Sequence, residues 1–236
     1  MKKEFKFHEG RHMYTLDGKP LMGVTTVLNV IAKPALIGWA AKMASEYIEE
    51  EVKKIAKGDN FIEELGEEWA RILIDARTAH TRKRDEGAKK GTDIHSWIEE
   101  WIAGDNPETP KEKIAKKQIE EFLKWVKDNE IDFLESEKRM YSEKYWIAGT
   151  VDAVAMIGGK KYVVDFKTQA KLWDKTPFLQ IAAYRLMLEE MGEKDYQGGC
   201  VVLLPKEGGL ETHYSYDYDT DKEGFLAALK LYKTLK

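Results

Sequence analysis

The chain has 236 residues, a single cysteine and a formal net charge of −4 at pH 7. This length is sufficient for one sizeable hydrophobic core, and one cysteine excludes a disulfide framework and a four-thiolate zinc or iron–sulfur site. The negative net charge argues against an indiscriminate nucleic-acid-binding protein.

Three features of the sequence indicate the cellular compartment of the protein. No apolar run approaches the roughly 18 residues that a membrane span needs, and the opening MKKEFKFHEG has neither a signal-peptide nor a transit-peptide pattern. A lone cysteine suits a reducing environment. We therefore expect a cytoplasmic protein without membrane contacts; the oligomeric state stays open, with a monomer favoured.

The first half of the chain predicts a hairpin followed by helices. The hairpin, HMYTLDGKPLMGV, turns at Asp17-Gly18, a pair that accepts positive φ. Helical periodicity follows at about 35–57, 60–84, 91–104 and 109–129. We expect 91–104 to be a separate helix that begins at Gly91-Thr92 and ends at Gly104.

The second half predicts a strand meander and then alternating elements. The predicted strands are 134–141, 146–156, 161–167, 199–205 and 210–216. A helix begins at Thr176-Pro177, with proline at a first-turn position, and a last helix occupies 221–235. This order predicts a mixed α/β fold without internal repeats.

The hairpin around Gly158-Gly159 places two aspartates opposite each other. With these glycines as a two-residue turn, the numbers of cross-strand partners sum to 317, which pairs Asp152 with Asp165. Directly opposed Cβ atoms lie roughly 4.5 to 5.5 Å apart, and like charges there are destabilising. Lys167 shares the face of Asp165. Facing carboxylates suit Mg²⁺ or Mn²⁺; alternatively, this is a surface hairpin in which Asp165 pairs with Lys167 or Lys161.

Three further residues are ordinary when taken singly. His95 lies at the edge of the Trp/Ile face of its helix, where histidines are more often packing residues than ligands. Gln180 and Tyr184 are one helical turn apart on one face.

Together, four motifs carry a resemblance. They are G-T-x-I-H at 91–95, A-G-T-V-D at 148–152, V-D-F-K-T at 164–168 and Q-I-A-A-Y at 180–184. In this order the sequence resembles a PD-(D/E)XK nuclease of the RecB-type branch, and within it the phage and mitochondrial-genome-maintenance exonucleases. Residues 91–190 carry the similarity, and the opening Y-T-L-D-G followed by G-V-T-T-V-L extends it loosely. Val151 stands where the family name has proline.

The resemblance implies a site. His95, Asp152 and Asp165 would be metal ligands, with the backbone carbonyl of Phe166 as a further ligand. Lys167 would stabilise the scissile phosphate and the attacking water, and Gln180 with Tyr184 would orient Lys167 and the substrate strand. A glutamate of the preceding strand often joins such sites. With a turn at Glu143-Lys144, Glu137 would face Thr150 on the ligand side.

The resemblance also implies an architecture and an activity. The architecture is a single nuclease domain over 1–236, in which 1–90 form an N-terminal hairpin and helical part roofing the cleft and 91–236 form a restriction-endonuclease-like core. The activity is Mg²⁺- or Mn²⁺-dependent exonucleolytic hydrolysis of single-stranded DNA or DNA ends in phage or viral recombination, repair or replication, which would place a viral protein in the host cytoplasm. No iron–sulfur cluster is expected. Three alternatives stay open: an accessory DNA-binding module with a vestigial site, a structure-specific endonuclease, and a glycoside hydrolase, which the flanking lysine disfavours.

A local basic run offers a DNA-binding surface. Between Arg77 and Lys90 there are six basic and two acidic residues, a local excess of positive charge. The basic residues are Arg77, Arg82, Lys83, Arg84, Lys89 and Lys90. We expect them at the mouth of the metal site, and we expect amides around Thr92, at the start of the His95 helix, to bind phosphate. The alternative is a solvated helix end.

Overall fold

A computed structural model describes the backbone of residues 3–31, 33–55 and 61–236, and their side chains except at 34, 35, 61–67, 88, 90 and 92. The chain forms two compact units. One contains the residues up to Ile31 and those from Asp93 onward, and the other contains the residues between them. Within the described residues, no helix has the length and apolar character to cross a membrane.

The second unit is helical. It contains α2 (Pro34–Ile55) and most of α3 (Phe61–Ile102). The prediction of two helices at 60–84 and 91–104 is wrong, because α3 is continuous. Glycines inside a helix cost about 1 kcal/mol each but do not end it in the absence of proline, and no proline lies between positions 84 and 104.

Continuity of α3 overturns one binding prediction. Gly91 and Thr92 lie inside the helix, where backbone amides donate to carbonyls one turn back. They therefore do not form an open helix terminus for phosphate, and this prediction is wrong. The side chains of Thr92 and Lys90 are outside the described residues.

A small antiparallel sheet opens the first unit. Its strands are β1 (Phe5–His8), β2 (Met13–Leu16) and β3 (Lys19–Pro20). The predicted turn is confirmed, since Asp17 and Gly18 have φ of 49° and 75°, as a tight hairpin requires. A short strand, β4 (Met22–Gly23), and a short helix, α1 (Val24–Leu28), follow.

The main sheet is mixed and has six strands, β4 to β9. Its long strands are β5 (Asp132–Ser142), β6 (Ile147–Ile157), β7 (Lys160–Lys167), β8 (Tyr196–Leu203) and β9 (Glu211–Ser215). The order is β4-β6-β7-β8-β9, and β5 also pairs with β6. Only the β4–β6 and β7–β8 pairs of the described strands are parallel. The predicted mixed α/β class is confirmed.

Helices cover both faces of this sheet. They include α4 (Lys113–Asp128), α5 (Thr176–Glu190) and α6 (Tyr218–Thr234). One core, which we call the α5–α6 core, joins α1, α5 and α6 to the sheet. The other joins α4 and the last turns of α3 to the opposite face. Burial on both faces explains the continuous apolar run Cys200–Leu203 in β8.

The two hairpins of the meander differ in how well sequence predicts them. Gly158 and Gly159 have φ of 56° and 74°, and the ladder from Ile157–Lys160 to Ala153–Val164 has the predicted register. In the other hairpin, four residues from 143 to 146 form the turn. Arg139, not Glu137, therefore faces Thr150, and the predicted register is wrong by two residues.

A charged cluster around Glu193 ties the strands together. Its carboxylate accepts hydrogen bonds from Lys161 Nζ at 2.8 Å, from Lys138 Nζ and from Tyr196 Oη. Burial opposes ionisation, but these donors lower the pKa of Glu193 to about 2. Since the ordinary value is 4.5, the stabilisation is complete above pH 4.5 and is lost as pH falls towards 2.

We predict that Glu193→Gln lowers the free energy of unfolding by roughly 1 to 3 kcal/mol at pH 7. The deficit should shrink as pH falls from 4.5 to 3, because the carboxylate of the unfolded wild-type chain takes up a proton in this range while that of the folded protein stays ionised. Urea titrations at several pH values measure this. Glu190→Gln, at an exposed glutamate close by, is the control; a pH-independent deficit would contradict the assignment.

Candidate functional site

The site lies where the pairing of β6 is interrupted. β5 covers one edge of β6 along its length. On the other edge, β4 pairs with Ile147 and Ala148, and β7 pairs from Ala153 onward. Residues 149–152 are therefore without a strand partner on that edge within the described chain, which opens a cleft between β4 and β7.

Asp152 lies at the point where β6 and β7 separate. The ladder ends at Ala153–Val164, one step before the predicted Asp152–Asp165 pair. Asp152 Oδ2 instead accepts a hydrogen bond from the Phe166 amide at 2.8 Å. A carboxylate thus replaces the carbonyl that would continue the ladder, and it directs its charge into the cleft.

Asp165 is the most deeply buried charge of the site, with no exposed side-chain surface. Lys167 Nζ lies 2.7 Å from Oδ1 and 2.6 Å from Oδ2, and Gln180 Nε2 donates to Oδ1 at 3.1 Å. Lys167 Nζ is close to Oδ2, but the angle between them does not suit a hydrogen bond. This buried oxygen therefore has no hydrogen-bond partner among the described residues. Burial raises the pKa of Asp165 to about 6, with Asp152 contributing and Lys167 opposing.

Lys167 stays protonated in this environment. Burial disfavours its charge, but the carboxylates of Asp165 and Asp152 outweigh burial and raise its pKa. This charge state matters chemically, because an ammonium can donate three hydrogen bonds. Lys167 is therefore a fixed positive charge beside two carboxylates.

His95 enters the cleft from α3. Its Nδ1 lies 3.8 Å from Asp152 Oδ2, too far for a hydrogen bond, and its ring stands edge-on to Phe166. Burial, with the charge of Lys167, lowers the pKa of His95. The ring is therefore neutral at pH 7, which is the form that binds metal ions.

Gln180 and Tyr184 form the wall behind Asp165. Gln180 Nε2 donates to Tyr184 Oη at 2.9 Å as well as to Asp165. The buried Tyr184 ring packs over Gly149, where an added Cβ would lie 2.6 Å from Tyr184 Cε1. The glycine of the A-G-T-V-D motif is therefore required by close packing, not by φ.

Glu137 joins the site by a different register from the predicted one. Ser136 pairs with Ala153 and Lys138 with Val151, which leaves Glu137, with φ of 46°, at the step opposite Asp152. Although its side chain is largely exposed, desolvation raises its pKa to about 7, assisted by the charges of Asp152 and Glu99.

Glu99 is a site residue that the sequence analysis missed. It lies on α3, one turn after His95, and its charge acts on Glu137. The available signal was its spacing, since residues four apart share a helix face.

The donors at this site suit a hard divalent cation, but they are not arranged as a closed ligand shell. Carboxylate oxygens are ligands for Mg²⁺ or Mn²⁺, whereas a neutral imidazole is more typical of transition metals; the unbonded Asp165 Oδ2 fits the role of an oxygen ligand. However, no group of three His, Cys, Asp or Glu side chains in the described chain is placed to hold an ion. Lys167 occupies the position on Asp165 that a cation would take.

The basic residues of the predicted DNA-binding surface belong to the second unit. Arg77, Arg82, Lys83, Arg84 and Lys89 are exposed there. Arg82 has a packing role, because its guanidinium lies 5.0 Å from the Tyr47 ring centroid and donates to Thr78 Oγ1 at 2.8 Å. Lys83 and Arg84 lie 3.9 and 2.9 Å from acidic neighbours.

Comparison with known proteins leaves the family of the chain open. No protein-family model and no curated protein matches it. Two solved structures are similar in part. A "Putative exonuclease" from Eubacterium rectale has a TM-score of 0.43 and 14% sequence identity, and the match covers 60% of this chain. The structure of SSO0001 has a TM-score of 0.29 and 15% sequence identity, and the match covers 48% of this chain. The chain spans 64% and 56% of these two structures, less than two thirds of either.

We predict that Gly149→Ala lowers the free energy of unfolding by about 1 to 3 kcal/mol, as overpacking does, because the new methyl group displaces the Tyr184 ring. In a Tyr184→Ala background the same change should cost much less. A double-mutant cycle measures this coupling. Equal costs in both backgrounds would contradict the contact, and Gly10→Ala, which meets nothing within 4 Å, is the control.

Proposed function

We propose that the protein is a Mg²⁺- or Mn²⁺-dependent deoxyribonuclease with a PD-(D/E)XK core, an exonuclease that acts on DNA ends in recombination, repair or replication. The observation that carries the proposal is Asp165. It is fully buried, and although it is paired with Lys167, one of its oxygens has no hydrogen bond among the described residues; such an incompletely satisfied buried charge costs stability and is typical of functional positions. The four motifs and their order support the same assignment.

The proposed ligands are His95, Asp152, Asp165 and the Phe166 carbonyl, with Glu137 beside Asp152. A bound Mg²⁺ or Mn²⁺ would lower the pKa of a water ligand and polarise the phosphoryl group. Lys167 exchanges its contact with Asp165 for one with a phosphate oxygen and so neutralises charge in the transition state. Gln180 keeps Asp165 in place, and Tyr184 holds Gln180.

The proposal assigns the chemistry to the first unit and gives the basic residues of the helical unit a role in DNA binding. An exonuclease requires a free end of the DNA. This property separates the exonuclease from a structure-specific endonuclease, which also cuts closed substrates.

We predict that the protein releases nucleotides from end-labelled linear DNA in Mg²⁺ but not in EDTA. Asp165→Asn and Lys167→Met should each lower kcat by about 10²-fold or more. Lys160→Met is the matched control, since Lys160 lies on the same strand at the exposed turn. Normal cleavage by Asp165→Asn would overturn the site.

Circular single-stranded DNA of the same sequence should resist degradation. Equal degradation of circular and linear DNA would identify an endonuclease. Binding of DNA without cleavage in Mg²⁺ or Mn²⁺ would identify an accessory module with a vestigial site.

DNA affinity is proposed to come from the basic segment of α3. We predict that Lys83→Gln, Arg84→Gln and Lys89→Gln together weaken single-stranded DNA binding irrespective of sequence. The slope of log Kd against log salt should fall by about 0.7 for each phosphate that the variant no longer neutralises. Arg82 is left unchanged because of its packing against Tyr47. Fluorescence anisotropy at several salt concentrations gives both quantities.

The matched control removes three charges from α2 instead, with Lys42→Gln, Lys53→Gln and Lys54→Gln. It should leave affinity and salt dependence nearly unchanged. If only the α2 variant binds DNA more weakly, the DNA path lies on α2 and the α3 segment is a solvated helix face.

A further inference from the structure

The loop between β7 and α5 presents an exposed aromatic side chain. β7 ends at Lys167, and α5, which carries Gln180, begins at Thr176. Both ends of the loop are therefore attached to elements whose residues contact Asp165. Loops placed in this way by a rigid scaffold commonly carry binding residues.

Trp173 in this loop is 61% exposed. A tryptophan side chain usually buries a large apolar area, so exposure of most of the ring leaves a contact surface available. The cation of Lys171 lies 4.0 Å from the centroid of the ring. An aromatic face next to a lysine is the combination that stacks a base and attracts its phosphate.

The loop is anchored on both sides of the ring. Leu172 packs against the α5–α6 core, and Asp174 Oδ1 accepts a hydrogen bond from the Thr176 amide at 2.7 Å. Trp173 lies between Leu172 and Asp174 in the chain, and most of its side chain is exposed to solvent. The backbone on both sides of Trp173 is thus held in place, as expected for a preformed contact surface.

We propose that Trp173, with Lys171, is a stacking platform for an unpaired nucleobase of the DNA strand bound at the site. The proposal rests on the proposed function and deepens it, since it selects single-stranded DNA or splayed ends. A base inside a duplex has both faces covered by its neighbours and offers no face to the ring. Trp173 follows Lys167 closely in the chain, so their Cα atoms lie at most about 22 Å apart.

The test measures binding without cleavage. Labelled single-stranded oligonucleotides are titrated with the protein in EDTA, and Kd is read by fluorescence anisotropy. Trp173→Ala should raise Kd by about 5- to 100-fold, the range for removal of one base stack. Trp173→Phe should restore most of the affinity. Tyr216→Ala is the control, because Tyr216 is equally exposed at 61% but lies beside Tyr162 at the other end of β7.

Abasic substitutions identify the stacked base. Moving one abasic site along the oligonucleotide should raise the wild-type Kd at one position, and Trp173→Ala should be insensitive to the same lesion. Full additivity of lesion and variant, or a Trp173→Ala Kd within about twofold of wild type, would overturn the platform. A thermal melt of each variant confirms folding.

This experiment separates the two proposals. Trp173-dependent binding without cleavage in Mg²⁺ would support the platform and refute the nuclease. Mg²⁺-dependent cleavage with Trp173-independent binding would do the reverse. Failure of the wild type to bind single-stranded DNA would overturn the platform.

Discussion

The buried charge of Asp165 is the constraint on which the site depends. An ionised carboxylate in a protein interior costs several kcal/mol unless it is paired and hydrogen-bonded. Lys167 supplies the opposite charge and Gln180 a hydrogen bond to one oxygen. The remaining oxygen has no such bond among the described residues. The raised pKa of Asp165, about 6, shows that these partners compensate only in part for burial.

The surrounding packing holds these partners in place. Gln180 reaches Asp165 because α5 packs directly on the sheet, and Tyr184, one turn later, limits its movement through a hydrogen bond. Tyr184 can lie this close only because position 149 has no side chain. A glycine on β6 and a carboxylate on β7 are therefore parts of one arrangement.

Geometry was predictable from sequence where local chemistry determines it. Gly158-Gly159 defines a two-residue turn, so the register that follows is determined by counting. Prediction failed where packing decides between local alternatives. Nothing local in the α3 sequence selects between one helix and two, because Gly87 and Gly91 are tolerated in either. The turn after β5 has four residues, and its length depends on Trp146, whose φ is 59° and whose indole donates to the Pro20 carbonyl. Glu99 was missed because its spacing of one turn from His95 does not by itself show that its charge acts on Glu137, on a distant strand.

Asp152 connects the fold to the chemistry. Two strands diverge only if the amides and carbonyls at the fork find other partners. The Asp152 carboxylate accepts the Phe166 amide, so it satisfies the backbone at the point where the ladder stops. The same side chain contributes negative charge next to Asp165 and His95. The cleft and its charge thus have a common origin, because the residue that ends the strand pairing is also the one that faces the neighbouring carboxylate. Removal of the Asp152 side chain would leave the Phe166 amide without this partner and would remove one negative charge from the cleft.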